Sequence, residues 1–132
     1  MIFMYMYLNL NPYKLNVHDC VIRAISAVTG VKWHDIFLRL SMIAYDLGMM
    51  PDSDRVWQTY LLSNGFIKYQ VSEDCPDCIT IREFAERHPS GSYILAATGH
   101  MVAVIDGNYY DTYDTGDYIA NTIWLKGRYS NE

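Results

Sequence analysis

Cys20 lies in the run Asn16-Val17-His18-Asp19-Cys20-Val21-Ile22-Arg23-Ala24, at the first turn of an amphipathic helical pattern that follows Asp19, a good capping residue. Unpaired backbone N–H groups and the positive helix end favour a thiolate over a thiol there, so a helix-leading cysteine suits nucleophilic chemistry near neutral pH. The adjacent Asp19 carboxylate works against this by like-charge repulsion. A thiolate at residue 20 therefore wants a cationic partner, and histidine is the usual one. The competing interpretation is a small buried hydrophobe, where most free cysteines end up.

The second half of the chain supplies a histidine. Residues 93–111 read as a strand, a tight corner at Gly99, a strand opened by His100, a hairpin and a further strand. Asp106-Gly107 is a strong signal for a two-residue hairpin turn. With that turn, Ile105 pairs with Asn108, Val102 with Asp111 and His100 with Tyr113, which makes His100 and Asp111 diagonal neighbours on one face. A carboxylate beside His100 holds the ring in one tautomer and stabilises its protonated form, as the third member of a catalytic triad does. A three-residue loop that included Asn108 would swap the parity and make Asp114 the partner instead. The plainer alternative for His100 is a hydrogen-bonded histidine at a strand start.

These residues need elements to position them. Val21, Ala24, Ile25 and Val28 form an apolar stripe ending at Gly30, and Trp33, Ile36, Phe37, Leu40, Ile43, Ala44 and Leu47 form a longer one ending at Gly48. A third helix follows Pro51, capped by Asp52 or Ser53, with Val56, Trp57, Tyr60 and Leu61 inward until Asn64-Gly65. Thr80-Ile81-Arg82-Glu83 spells a capping box for a short helix to about His88. Strands are expected at 66–71, 93–97, 101–105, 109–113 and 118–125, and the apolar opening Met1 to Leu8 reads as a buried strand. Helices first and an antiparallel sheet afterwards is an α+β layout.

Other residues carry weaker signals. Cys75-Pro76-Asp77-Cys78 offers two soft ligands at zinc spacing, but one such pair is half a site that His88 or His18 would have to complete. A plain turn bearing two thiols is the simpler expectation. A thioredoxin-like redox centre would want a parallel sheet around the pair. His18 and His34 read as surface or turn residues. Asp111, Asp114 and Asp117 lack the glycine and terminal glutamate of a calcium loop, so no metal and no cofactor is expected.

Composition bounds the function class. The chain has 132 residues, 51% hydrophobic and 19% charged, which suits one core and hence one domain over 1–132. A formal net charge of -5 without a basic run argues against nucleic acid as a partner. The opening apolar stretch is too short to span a bilayer and lacks the cationic lead-in and cleavage site of a secretory signal, so neither membrane nor export is expected. Three cysteines is an odd count and no disulfide framework. Free, reactive or metal-bound thiols in the cytoplasm are the expectation.

Asp19-Cys20-Val21-Ile22-Arg23-Ala24-Ile25 at a helix head, Gly99-His100-Met101-Val102-Ala103-Val104 and the hairpin to Tyr110-Asp111, in that order, resemble the papain-like cysteine peptidase superfamily. The likeness is greatest to its compact bacterial and phage members and to the bacteriocin-leader peptidases that cut after double glycine. The resemblance implies N-terminal helices with the nucleophile helix packed on a C-terminal antiparallel sheet. It implies Cys20 as nucleophile, His100 as general base and acid, Asp111 as orienter, and a peptide, amide or ester carbonyl attacked through a thioester. An oxyanion hole in that superfamily commonly combines the cysteine N–H with an upstream glutamine. Here Gln58 and Gln70 both lie downstream of Cys20, so Asn16, or less favourably Lys14, takes the place of that donor. The expected partner is a protein or peptide substrate in an open cleft. The rival functions are a non-catalytic binding module that keeps the fold, and a zinc-stabilised domain built on Cys75 and Cys78.

Overall fold

The computed structural model describes residues 5–127. In chain order the elements are β1 (Tyr5–Tyr7), α1 (Cys20–Thr29), α2 (Trp33–Leu47), α3 (Asp54–Ser63), β2 (Phe66–Gln70), α4 (Ile81–Arg87), β3 (Ser92–Ala97), β4 (His100–Ile105), β5 (Asn108–Asp111) and β6 (Ala120–Lys126). The described residues thus form a mixed α+β fold of four helices and one six-stranded sheet, ordered β1-β5-β4-β3-β6-β2. Every pairing is antiparallel except β1 with β5.

Alternation along the central strands divides the apolar side chains between two faces. Ile94, Ala96, Met101, Ala103 and Trp124 pack with α1, α2 and α3, whereas Leu95, Val102, Val104, Ile123 and Leu125 pack with Ile81, Phe84 and Ala85 of α4. Helix α1 is enclosed almost all round: Val21, Ile22, Arg23, Ala24, Ile25 and Ser26 are successive buried residues. Such a helix is held by tertiary contact rather than by a single apolar stripe. It stops at Gly30, whose left-handed backbone (φ 74°) lets its N–H reach the Ser26 carbonyl.

The capping box at Thr80 is present in full, with Thr80 Oγ1 accepting from the Glu83 N–H and Glu83 Oε1 from the Thr80 N–H. The expected hairpin is also there. Asp106 (φ 49°) and Gly107 (φ 84°) both take positive φ, the requirement of a type I′ turn, and Ile105 pairs with Asn108.

Three expectations need correction. The opening strand is not buried: Met1–Met4 lie outside the described residues, and β1 is an edge strand whose Met6 and Tyr7 are exposed. An apolar run reports hydrophobic content and says nothing about whether a neighbour covers it. Phe37 and Leu47 on α2 are likewise exposed, because α1 and α3 cover only the strip through Ile36, Leu40 and Ala44. The cysteines at 75 and 78 are not free. The turn closed by Asp77 N–H to the Asp74 carbonyl brings their Cα atoms to 4.6 Å, inside disulfide range, and the sulfurs are bonded to each other.

Ile25 is wholly buried between the helical layer and the sheet, so it tests how far α1 depends on this packing. Ile25→Ala is expected to lower unfolding free energy by about 2–5 kcal/mol, the cost of lost transfer energy plus a cavity, measured by urea denaturation.

Candidate active site

Cys20, His100 and Asp111 converge at one end of the sheet. β4 begins at His100 and its antiparallel neighbour β5 ends at Asp111, so both stand at that end, and the two-residue turn places them on the same face. The ladder's pairs run from Ile105–Asn108 to Ala103–Tyr110, so the expected Val102–Asp111 pair is not part of it; on its other edge β5 pairs with β1, Asp111 against Tyr7. The expected pairing of His100 with Tyr113 does not form, because β5 ends at Asp111; the two rings lie with centroids 5.6 Å apart.

His100 Nε2 lies 2.6 Å from Asp111 Oδ2, and Cys20 lines the same cleft as the imidazole, near enough to favour its charge. With Nε2 committed to Asp111, Nδ1 is the nitrogen left for the sulfur. Of the two candidate acids it is Asp111 that contacts His100, and the Asp114 alternative is corrected. Asp114 accepts instead from the Tyr109 hydroxyl at 2.6 Å and sits 3.5 Å from Arg82, since the two-residue turn sets its parity against His100.

Asp111 is 1% exposed and fully hydrogen-bonded. Oδ1 accepts from Arg23 Nη1 (3.0 Å) and the Thr112 N–H (2.8 Å), and Oδ2 from His100 and the Thr115 hydroxyl (3.0 Å). Its carbonyl is held too, by the Tyr5 hydroxyl and the Leu8 N–H at the end of β1. Burial favours the neutral acid, but the hydrogen bonds from His100 and Arg23 outweigh it and hold the carboxyl below its ordinary range. The imidazole moves the other way. Burial is the largest influence and opposes its charge, yet hydrogen bonds to Asp111 and Cys20 overcome burial and raise it to about 9.

Arg23 was not among the sequence candidates and is the hinge of this network. Its Nε donates to Asp19 Oδ1 at 2.7 Å while Nη1 holds Asp111. Asp19 Oδ2 accepts from Trp33 Nε1 (3.0 Å) and Asn11 Nδ2 (3.3 Å). Asp19 therefore does not cap α1 with its side chain, contrary to expectation: the carboxylate is drawn inward to the guanidinium. Arg23 also answers the repulsion that Asp19 would exert on the sulfur. The Asp-to-Arg spacing of i,i+4 was a usable clue, because such residues meet on a helix face. Nothing local marks Asn11, Thr115 or Trp33.

The pair Cys20–His100 lies in a cleft made of two depressions of about 370 and 410 Å³. One extends past Asp54, Trp57 and Gln58 of α3, the other past Asn16, Thr112 and Tyr113. Tyr113 and Tyr118 stand against the imidazole, hydroxyl to hydroxyl at 3.1 Å, and cover it from one side. Asn16 is exposed on the wall of the second depression.

The remaining candidates do not join the site. Among the described residues no group of three or more His, Cys, Asp or Glu side chains is placed to hold a metal ion. The zinc alternative is corrected, because Cys75 and Cys78 spend their sulfurs on each other and His88 is buried against Phe84, its Nδ1 2.8 Å from the Phe84 carbonyl. No described helix is long and apolar enough to cross a membrane. Comparison of the chain with protein-family models, curated proteins and solved structures returns no match.

Two outcomes follow. Arg23→Met leaves buried Asp19 without a cation and Asp111 with His100 alone, and is expected to destabilise by about 3–5 kcal/mol in urea unfolding at neutral pH. His100, raised in the folded state from 6.5 to about 9, binds its proton more tightly folded than unfolded. Its contribution is fully present below pH 6.5 and is lost as pH rises through about 9. Urea midpoints are expected to fall across that window, and to fall less in His100→Gln.

Proposed function

We propose that the chain is a cysteine hydrolase of the papain-like class that cleaves a peptide or amide bond through a thioester. The observation that carries this reading is the buried relay from Arg23 through Asp111 to His100, which shares its cleft with Cys20, the one free thiol among the described residues. An imidazolium held by a carboxylate beside a thiol at a helix start is the arrangement that keeps sulfur nucleophilic.

The steps follow from the positions. The Cys20 sulfur attacks the substrate carbonyl carbon, and the carbonyl π pair moves to oxygen. The first-turn N–H groups of α1 carry no cap from Asp19, so the Cys20 N–H is free to donate to that oxyanion. As the oxyanion collapses, the carbon–nitrogen bond breaks and His100 gives its proton to the departing amine. The acyl group stays on sulfur. Water then adds to the thioester, His100 takes its proton, and the acid leaves as Cys20 is regenerated. Asp111 keeps the ring oriented through both transfers.

The cleft is open on both sides of the sulfur, which supports an extended polypeptide as substrate.

Iodoacetamide at about pH 6 is expected to alkylate Cys20 at least tenfold faster in the unsubstituted protein than in His100→Ala. p-Nitrophenyl acetate should leave an acetyl group on Cys20, detected by intact mass, that persists longer in His100→Ala. A sulfur inert to both reagents would defeat the enzyme reading and leave the same cleft as a capture surface for a partner protein.

A further inference from the structure

The missing upstream glutamine leaves open which side chain completes the oxyanion hole, and the two depressions narrow the choice. Only four residues line both of them: His18, Cys20, Gly99 and His100. Gly99 has no side chain to offer, and His100 is committed to the sulfur and Asp111. His18 is the polar side chain left at the junction where the carbonyl must sit. Asn16 lines the second depression alone.

The backbone explains how His18 arrives there. The Asp19 N–H bonds the Val17 carbonyl at 2.8 Å, an i to i+2 closure that bends the chain sharply at His18. Asp19 is drawn into the interior by Arg23, Trp33 and Asn11, and is 4% exposed. His18, its neighbour in the bend, turns outward and is exposed. The same buried charge that orders the relay therefore presents His18 to the cleft.

We propose that His18 is a further catalytic residue, donating a ring N–H to the oxyanion that forms when Cys20 adds to a carbonyl, alongside the Cys20 N–H. This assignment rests on the cysteine-hydrolase reading above. In the addition step the sulfur–carbon bond forms, the carbonyl π pair becomes the charge on oxygen, and His18 stabilises that charge by hydrogen bonding without transferring its proton. A side-chain donor of this kind acts in the transition state and leaves the reactivity of the sulfur toward a saturated carbon untouched.

That distinction gives the test. Iodoacetamide reacts with Cys20 without forming an oxyanion, whereas the aldehyde of N-acetylglycine adds to it as a hemithioacetal whose oxygen occupies the oxyanion position. Protection of Cys20 from iodoacetamide by increasing aldehyde gives the aldehyde's dissociation constant. In His18→Ala the constant is expected to rise at least tenfold, equivalent to about 1.4 kcal/mol, with the aldehyde-free alkylation rate unchanged. His18→Gln, which keeps an N–H donor, should recover most of the loss.

An unchanged constant in His18→Ala overturns the assignment, as does an equal loss in the Ala and Gln variants or a loss confined to Asn16→Ala. So does the absence of aldehyde protection in the unsubstituted protein when alkylation still depends on His100. Alkylation independent of His100 is the separate result that removes the hydrolase reading itself.

Discussion

A buried guanidinium between two buried carboxylates is the constraint on which the site depends. Arg23 joins Asp19 on its own helix to Asp111 at the end of a strand 88 residues further along. Neither carboxylate could remain ionised in that interior alone, because desolvation would drive each toward its neutral form. Together the groups alternate in sign from Asp19 through Arg23 and Asp111 to His100. The interior tolerates the charges because nearly every lone pair and N–H in the chain of contacts is met.

That arrangement ties the two halves of the fold together at the place where chemistry is proposed. α1 brings both the sulfur and Arg23, one turn apart, so the contact that docks the helix against β5 also sets the height of Cys20 beside His100. β1 adds a second clamp, since Tyr5 and Leu8 hold the Asp111 carbonyl while Arg23 holds its carboxylate. An edge strand of three residues contributes little core, and its value lies in fixing where β5 ends.

Much of the fold was legible because it is local. Glycines 30 and 48 end the helices they were expected to end, Thr80 and Glu83 form their capping box, and Asp106-Gly107 makes the two-residue turn. The choice of Asp111 over Asp114 followed from that turn alone, since one extra loop residue would have reversed the parity. What failed was equally physical. Exposure of Met6, Tyr7, Phe37 and Leu47 depends on whether another element arrives to cover them, and the bond between Cys75 and Cys78 on how the loop folds back.

By itself, the sequence determined which residues were chemically capable, that Cys20 would open a helix, and that His100 and Asp111 would share a face; each follows from spacing within one element or one hairpin. Tertiary structure alone decided that the sulfur and the imidazole share one cleft, that Asp19 turns away from its cap, that Arg23 bridges two carboxylates and that His18 is left facing the cleft. These are contacts between segments distant in the chain. They are selected by how a desolvated charge finds its partner, and that is a property of the packed interior with no counterpart in local periodicity.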